Sequence, residues 1–76
     1  MKVWILEDFS HGETDVYPED TDVLSIPFVT TELSYLVGGY DDELAEFKAD
    51  LARAKERGRG SATIEERFTI ELKELR

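Results

Sequence analysis

The sequence predicts an α+β fold: a small two-layer domain with a three- or four-stranded, mostly antiparallel sheet and one principal helix at about 42–57, in the order β-β-(β)-α-β. Three observations predict it. Segments near both ends of the chain alternate apolar and polar residues with a period of two. One segment past the middle repeats apolar residues at intervals of three and four. The 76 residues also include 26 large apolar side chains, counting Leu, Val, Ile, Phe, Tyr, Trp and Met, an inventory that an acidic disordered chain lacks. Residues 1–76 read as a single domain, because no linker, internal repeat or low-complexity tract divides them.

The first strand is expected at Lys2 to Glu7, where Val3 and Ile5 share one face and Trp4 and Leu6 the other. Apolar residues on both faces place it inside the sheet. Phe9 to Thr14, centred on Ser10-His11-Gly12, carries turn chemistry, and Val16-Tyr17 forms a short returning strand that Pro18 stops. Glu19 to Asp22 is an acidic loop.

Alternation resumes from Asp22 to Thr30, with Leu24, Ile26 and Phe28 on one face and Val23, Ser25, Pro27 and Val29 on the other. Pro27 cannot donate a ladder hydrogen bond, so this strand is expected at an edge or bulged at that point. Between Thr31 and Val37 the spacing of Leu33, Leu36 and Val37 suggests one or two helical turns, with Thr31 as N-cap and Gly38 as terminator; Leu33, Tyr35 and Val37 also fit a strand.

The principal helix runs from Asp42 to about Arg57, with Asp41 as N-cap and Gly58 as a left-handed stop. Asp42, Glu43 and Glu46 sit toward the positive end of its dipole, and Lys48, Arg53, Lys55 and Arg57 toward the negative end. Leu44, Phe47, Leu51 and Ala54 form the apolar stripe that faces the sheet. After a loop at Gly58 to Gly60, the alternation from Thr63 to Leu72 reads as one last strand, with Ile64, Phe68, Ile70 and Leu72 inward.

Charge narrows the function. The chain has nine Lys plus Arg against eighteen Asp plus Glu, a formal charge of −9, and no cysteine. Disulfide and Cys-zinc stapling are excluded. Direct nucleic-acid binding and docking on an anionic membrane are disfavoured, since both need clustered bases. The apolar run at the N-terminus is four residues, Val3 to Leu6, too short for a signal peptide or a membrane span, so a cytoplasmic location is expected. The charge is uneven: residues 1–47 hold twelve acids and one base, Lys2, whereas residues 48–76 hold six acids and eight bases. The natural partner of such a surface is basic.

Catalytic motifs are absent. There is no nucleophile elbow, no phosphate-cradling loop and no dinucleotide fingerprint. His11, the one histidine, lies among Asp8, Glu13 and Asp15 and offers a metal ligand or a general base, but without a second imidazole or thiolate it reads more simply as a solvated turn residue. The acids from Asp15 to Asp22 lack the central Gly and terminal Glu of a calcium loop and have Pro18 in their midst. No enzyme activity, cofactor or metal is expected.

What remains is association. The candidate partner-binding residues are Glu13, Asp15, Glu19, Asp20, Asp22, Glu32, Tyr35, Tyr40, Asp41, Asp42, Glu43 and Glu46: carboxylates that imitate phosphate positions, and tyrosines that supply contact area. In size, charge and lack of catalytic motifs the chain resembles the small acidic proteins that bacteriophages and mobile elements use against host defence or transcription, such as anti-CRISPR and anti-restriction proteins. The acid-rich stretch from Glu13 to Glu46 carries that likeness. It is a likeness of class, with no family motif matched, so no residue role transfers. It implies an inhibitor or nucleic-acid-mimic decoy, acting in the host bacterial cytoplasm if phage-encoded, that occupies a basic, nucleic-acid-binding surface of a target protein. The alternative is a structural or adaptor module, monomer or homodimer, that dimerises through a sheet edge and uses its charge for solubility only.

Overall fold

A computed structural model describes residues 1–36 and 38–75. Its elements are β1 (Lys2–Asp8), β2 (Glu13–Pro18), a 3₁₀ turn (Val23–Ser25), α1 (Pro27–Ser34), α2 (Asp41–Arg57), β3 (Gly60–Ile64) and β4 (Phe68–Glu74). The strands form one antiparallel sheet in the order β2-β1-β4-β3. With α2 laid mainly on β3, this is the small two-layer α+β domain expected.

Strand β1 is internal, as its two apolar faces require. Trp4 and Leu6 point to the helix side, where they join Ile70, Leu72, Ala62, Ile64 and Phe68 in the buried core. From α2, Phe47, Leu51 and Ala54 are buried and Leu44 is half-buried. Phe68 is fully buried and meets Phe28 and Phe47 edge-on, at centroid distances of 5.6 and 5.5 Å. The Trp4 indole N–H donates to the Glu19 carbonyl over 3.1 Å, which satisfies a buried donor and pins the acidic loop after β2.

Four expectations are corrected. The segment from Asp22 to Thr30 is no strand: it holds the 3₁₀ turn and the first residues of α1, with Asp22 and Ile26 extended as their caps. Val23, Ile26 and Val29 are buried at intervals of three, and the row continues at intervals of four and three through half-buried Leu33 to buried Leu36 beneath the apparent alternation. Pro27 is the first residue of α1, where its missing N–H costs nothing and its fixed φ suits the turn. Thr31 is consequently inside the helix, and Tyr35 closes it in place of Gly38. Val37, assigned to the same stripe, lies outside the described residues.

The strand expected from Thr63 to Leu72 is a hairpin. Ile64 pairs with Phe68 around Glu65-Glu66-Arg67, with Arg67 N–H bonded to the Ile64 carbonyl at 3.1 Å and Glu66 in the left-handed region at φ 64°. Ile64, Phe68, Ile70 and Leu72 do share the inward face, because residues directly opposite one another in a ladder point the same way. The element order is therefore β-β-α-α-β-β.

Helix α2 begins one residue early. Tyr40 is its N-cap, without a side-chain cap bond, and Asp41 is its first residue. Asp41, Asp42 and Glu43 occupy the first turn and Lys55 and Arg57 the last, the arrangement the helix dipole favours. Gly58 ends the helix at φ 74°, its N–H bonded to the Ala54 carbonyl.

Candidate functional site

The two hairpin turns and the start of α2 lie at one end of the sheet. Phe9 N–H donates to the Arg67 carbonyl at 3.0 Å and so ties the β1–β2 turn to the β3–β4 turn. Asp8 closes β1 on the core face and is 7% exposed. Its carboxylate accepts the Ser10 N–H at 2.9 Å and the His11 Nδ1–H at 2.6 Å, while its carbonyl accepts the Gly12 N–H at 2.8 Å. Burial pushes the Asp8 carboxyl up, but the bonds from His11 and Ser10 and the imidazolium charge outweigh it and leave its pKa lowered. The hydrogen bond to Asp8 and then its charge raise the His11 pKa, and Glu13 and Glu32 add to the effect from β2 and α1.

Around this turn the acids form a surface. One open depression is lined by Ser10, Tyr40, Glu43, Glu65, Glu66 and Arg67, and a second, between α2 and β3, by Glu43, Glu46, Asp50, Ser61, Thr63 and Glu65. The two share Glu43 and Glu65, so an acidic strip runs along α2 and around the end of the sheet. Arg67 is the base within it. Its guanidinium lies 3.7 Å from Glu32 and 5.7 Å from the centre of the Tyr35 ring, joining α1 to the hairpin turn. Tyr35 and Tyr40 remain 59% and 50% exposed.

The candidate residues read from the sequence are thus divided. Tyr40, Glu43 and Glu46 line the strip, Asp41 and Asp42 are exposed on the same helical turn, Tyr35 and a largely buried Glu32 stand beside it against Arg67, and Glu13 stands near His11. Asp15 lies midway along β2, opposite Leu6. Glu19, Asp20 and Asp22 follow the far end of β2, about 17 Å from Glu13 at the usual strand rise. Asp22 accepts the Ser25 hydroxyl at 2.8 Å and so has a local structural role. Sequence reasoning missed Asp50, Glu65 and Glu66 as members of the strip. The signal for the last two was available: three polar residues between two β-rich runs is a hairpin loop length.

Among the described residues no group of three or more His, Cys, Asp or Glu is placed to hold a metal ion, and no helix is long and apolar enough to cross a membrane. No known family model, curated protein or solved structure matches the chain.

Among the described residues, none on the other side of the sheet forms a helix. On it, Val3 and Ile5 of β1 lie beside Pro18 and Val16 of β2, and Glu71 and Lys73 of β4 continue the rows in polar form. Val16 is 57% exposed on the outermost strand.

Proposed function

We propose that this chain is a small acidic protein-binding inhibitor, a nucleic-acid-mimic decoy of the phage or mobile-element type that includes anti-CRISPR and anti-restriction proteins. It occupies a basic, nucleic-acid-binding surface of a target protein in the bacterial cytoplasm and performs no chemistry. The observation that carries this reading is the acidic strip through Glu43 and Glu65, to which α2, β3 and the two hairpin turns all contribute. Helix, strand and tight turn fix the backbone positions of these carboxylates, so binding has side chains to order but no loop, and exposed Tyr40 and Tyr35 add apolar contact area beside them. The field of a chain at −9 steers a basic partner toward the strip.

The test is capture of partners from a bacterial lysate on the immobilised chain, with stepwise salt elution and competition by DNA. Nucleic-acid-binding proteins released by moderate salt, and displaced by DNA, support the decoy. Proteins that resist salt and ignore DNA count against it. The second reading, an adaptor that dimerises through a sheet edge, has the exposure of Val16 on β2 in its favour and the acids Glu13 and Asp15 of the same strand against it. Edge pairing responds little to ionic strength, whereas contacts between exposed charges weaken as the Debye length contracts.

A further inference from the structure

The open edge of β2 has a polarity that can be worked out bond by bond. Phe9 N–H bonds to the Arg67 carbonyl and Leu75 N–H to the Met1 carbonyl, so the odd-numbered residues of β1 direct their backbone groups to β4. By the alternation of an antiparallel ladder, the even-numbered residues Trp4, Leu6 and Asp8 bond to β2, through Tyr17, Asp15 and Glu13. Thr14 and Val16 therefore turn their N–H and C=O groups outward, away from the sheet. The same edge carries Glu13 and Asp15 on its helix-side face and Thr14 and Val16 on its helix-free face.

We propose that the β2 edge receives an extended basic segment of a partner protein as a fifth, antiparallel strand. The inference rests on the reading that the partner is basic, and it names how part of that partner is held. An incoming strand that bonds to Thr14 and Val16 sets every second side chain beside Glu13 and Asp15, and the intervening ones beside Val16. It therefore has Lys or Arg at alternate positions with β-branched residues between them.

Charge decides against a second copy of this chain as occupant. Pairing β2 with itself about Asp15 sets that carboxylate against its own copy. Pairing about Val16 sets Glu13 against Glu19 of the copy and Thr14 against Pro18, which has no N–H to give. No Lys or Arg between residues 3 and 47 relieves either register.

The probe is a capped synthetic peptide, KVRVKV, compared with a block isomer of equal charge, KRKVVV, and with KVRVKV carrying N-methyl groups on its valines. The alternating peptide is expected to slow amide exchange at Thr14 and Val16. N-methylation, block order or Val16→Pro is each expected to weaken it by about tenfold or more. Val16→Pro deletes an outward N–H and leaves the β1 ladder bonds in place, with Trp4 fluorescence reporting the fold; the N-methylated peptide makes the same cut with the protein unaltered. Binding that changes less than about twofold under these cuts overturns the edge proposal and leaves the decoy reading, which stands on the acidic strip. Protection of Thr14 and Val16 that rises with protein concentration without peptide also overturns it, in favour of self-pairing. The decoy reading fails separately, if captured partners ignore both salt and DNA.

Discussion

The imidazole of His11, exposed at the tip of the β1–β2 turn, donates from Nδ1 to the buried carboxylate of Asp8 across 2.6 Å. This pair, together with the Ser10 and Gly12 N–H bonds to Asp8, organises the turn that begins the acidic end of the molecule. A flanking acid has become a structural ion-pair partner, and the histidine has a role that needs neither metal nor catalysis.

The pair sets a pH window. The contribution of Asp8, whose pKa is lowered from 3.8, is present above that value and is lost as pH falls through its folded pKa. That of His11, raised from 6.5, is present below 6.5 and is lost as pH rises through its folded pKa. The pair therefore stabilises the turn most between these two ordinary values. NMR titration of the single imidazole is expected to show a midpoint above 6.5, and Asp8→Asn to bring it down. A midpoint unmoved by Asp8→Asn would show that the surrounding acids, and not this bond, hold the proton.

Glu66 occupies a left-handed conformation that side chains with a Cβ resist. Glu66→Gly is expected to stabilise the protein by about 0.5–1 kcal/mol, the relief of strain exceeding the entropy that glycine adds to the unfolded chain. Glu65→Gly, with no strain to relieve, gives no such gain in chemical denaturation.

Phe68 joins α1, α2 and the sheet through its contacts with Phe28 and Phe47. Phe68→Ala is expected to cost about 3–5 kcal/mol, a large share of the stability of any small domain. Phe9→Ala, at a side chain 50% exposed, stays within about 0.5 kcal/mol. Equal losses at the two sites in urea titrations would contradict the core as described.

On the decoy reading, replacing Asp41, Asp42 and Glu43 by Lys weakens partner binding by about tenfold or more at low salt, whereas Glu71→Lys on the helix-free face changes it about twofold. Glu65 belongs with the sensitive group, because it lines both depressions with Glu43. Equal effects at Glu43 and Glu71 would mean that net charge matters and position does not.

Periodicity made β1, α2 and the inward parity of Ile64, Phe68, Ile70 and Leu72 legible in the sequence, because each buries one regular face. It failed where two periods coexist. Between Val23 and Leu36 the residues that alternate also recur at three and four, and Pro27 fits a helix start as well as a strand edge. Which period prevails depends on what the sheet leaves uncovered beside Trp4, a tertiary fact. The candidate site was legible as composition but not as position. Glu65 and Glu66 are acids in the more basic half of the sequence, and only the hairpin turn brings them to Glu43.

The sheet order β2-β1-β4-β3 has a consequence for how the chain acquires its shape. Each outer pair is a local hairpin, and isolated hairpins are marginal in water. The seam that unites them, β1 against β4, joins residues sixty or more positions apart along the chain. Closing so distant a contact comes at an entropic cost that no local turn offsets beforehand. During synthesis, the first strand therefore waits without its central neighbour until residues 68–74 have left the ribosome. The acidic end is assembled in that same late step, since the Phe9 bond to Arg67 crosses the seam.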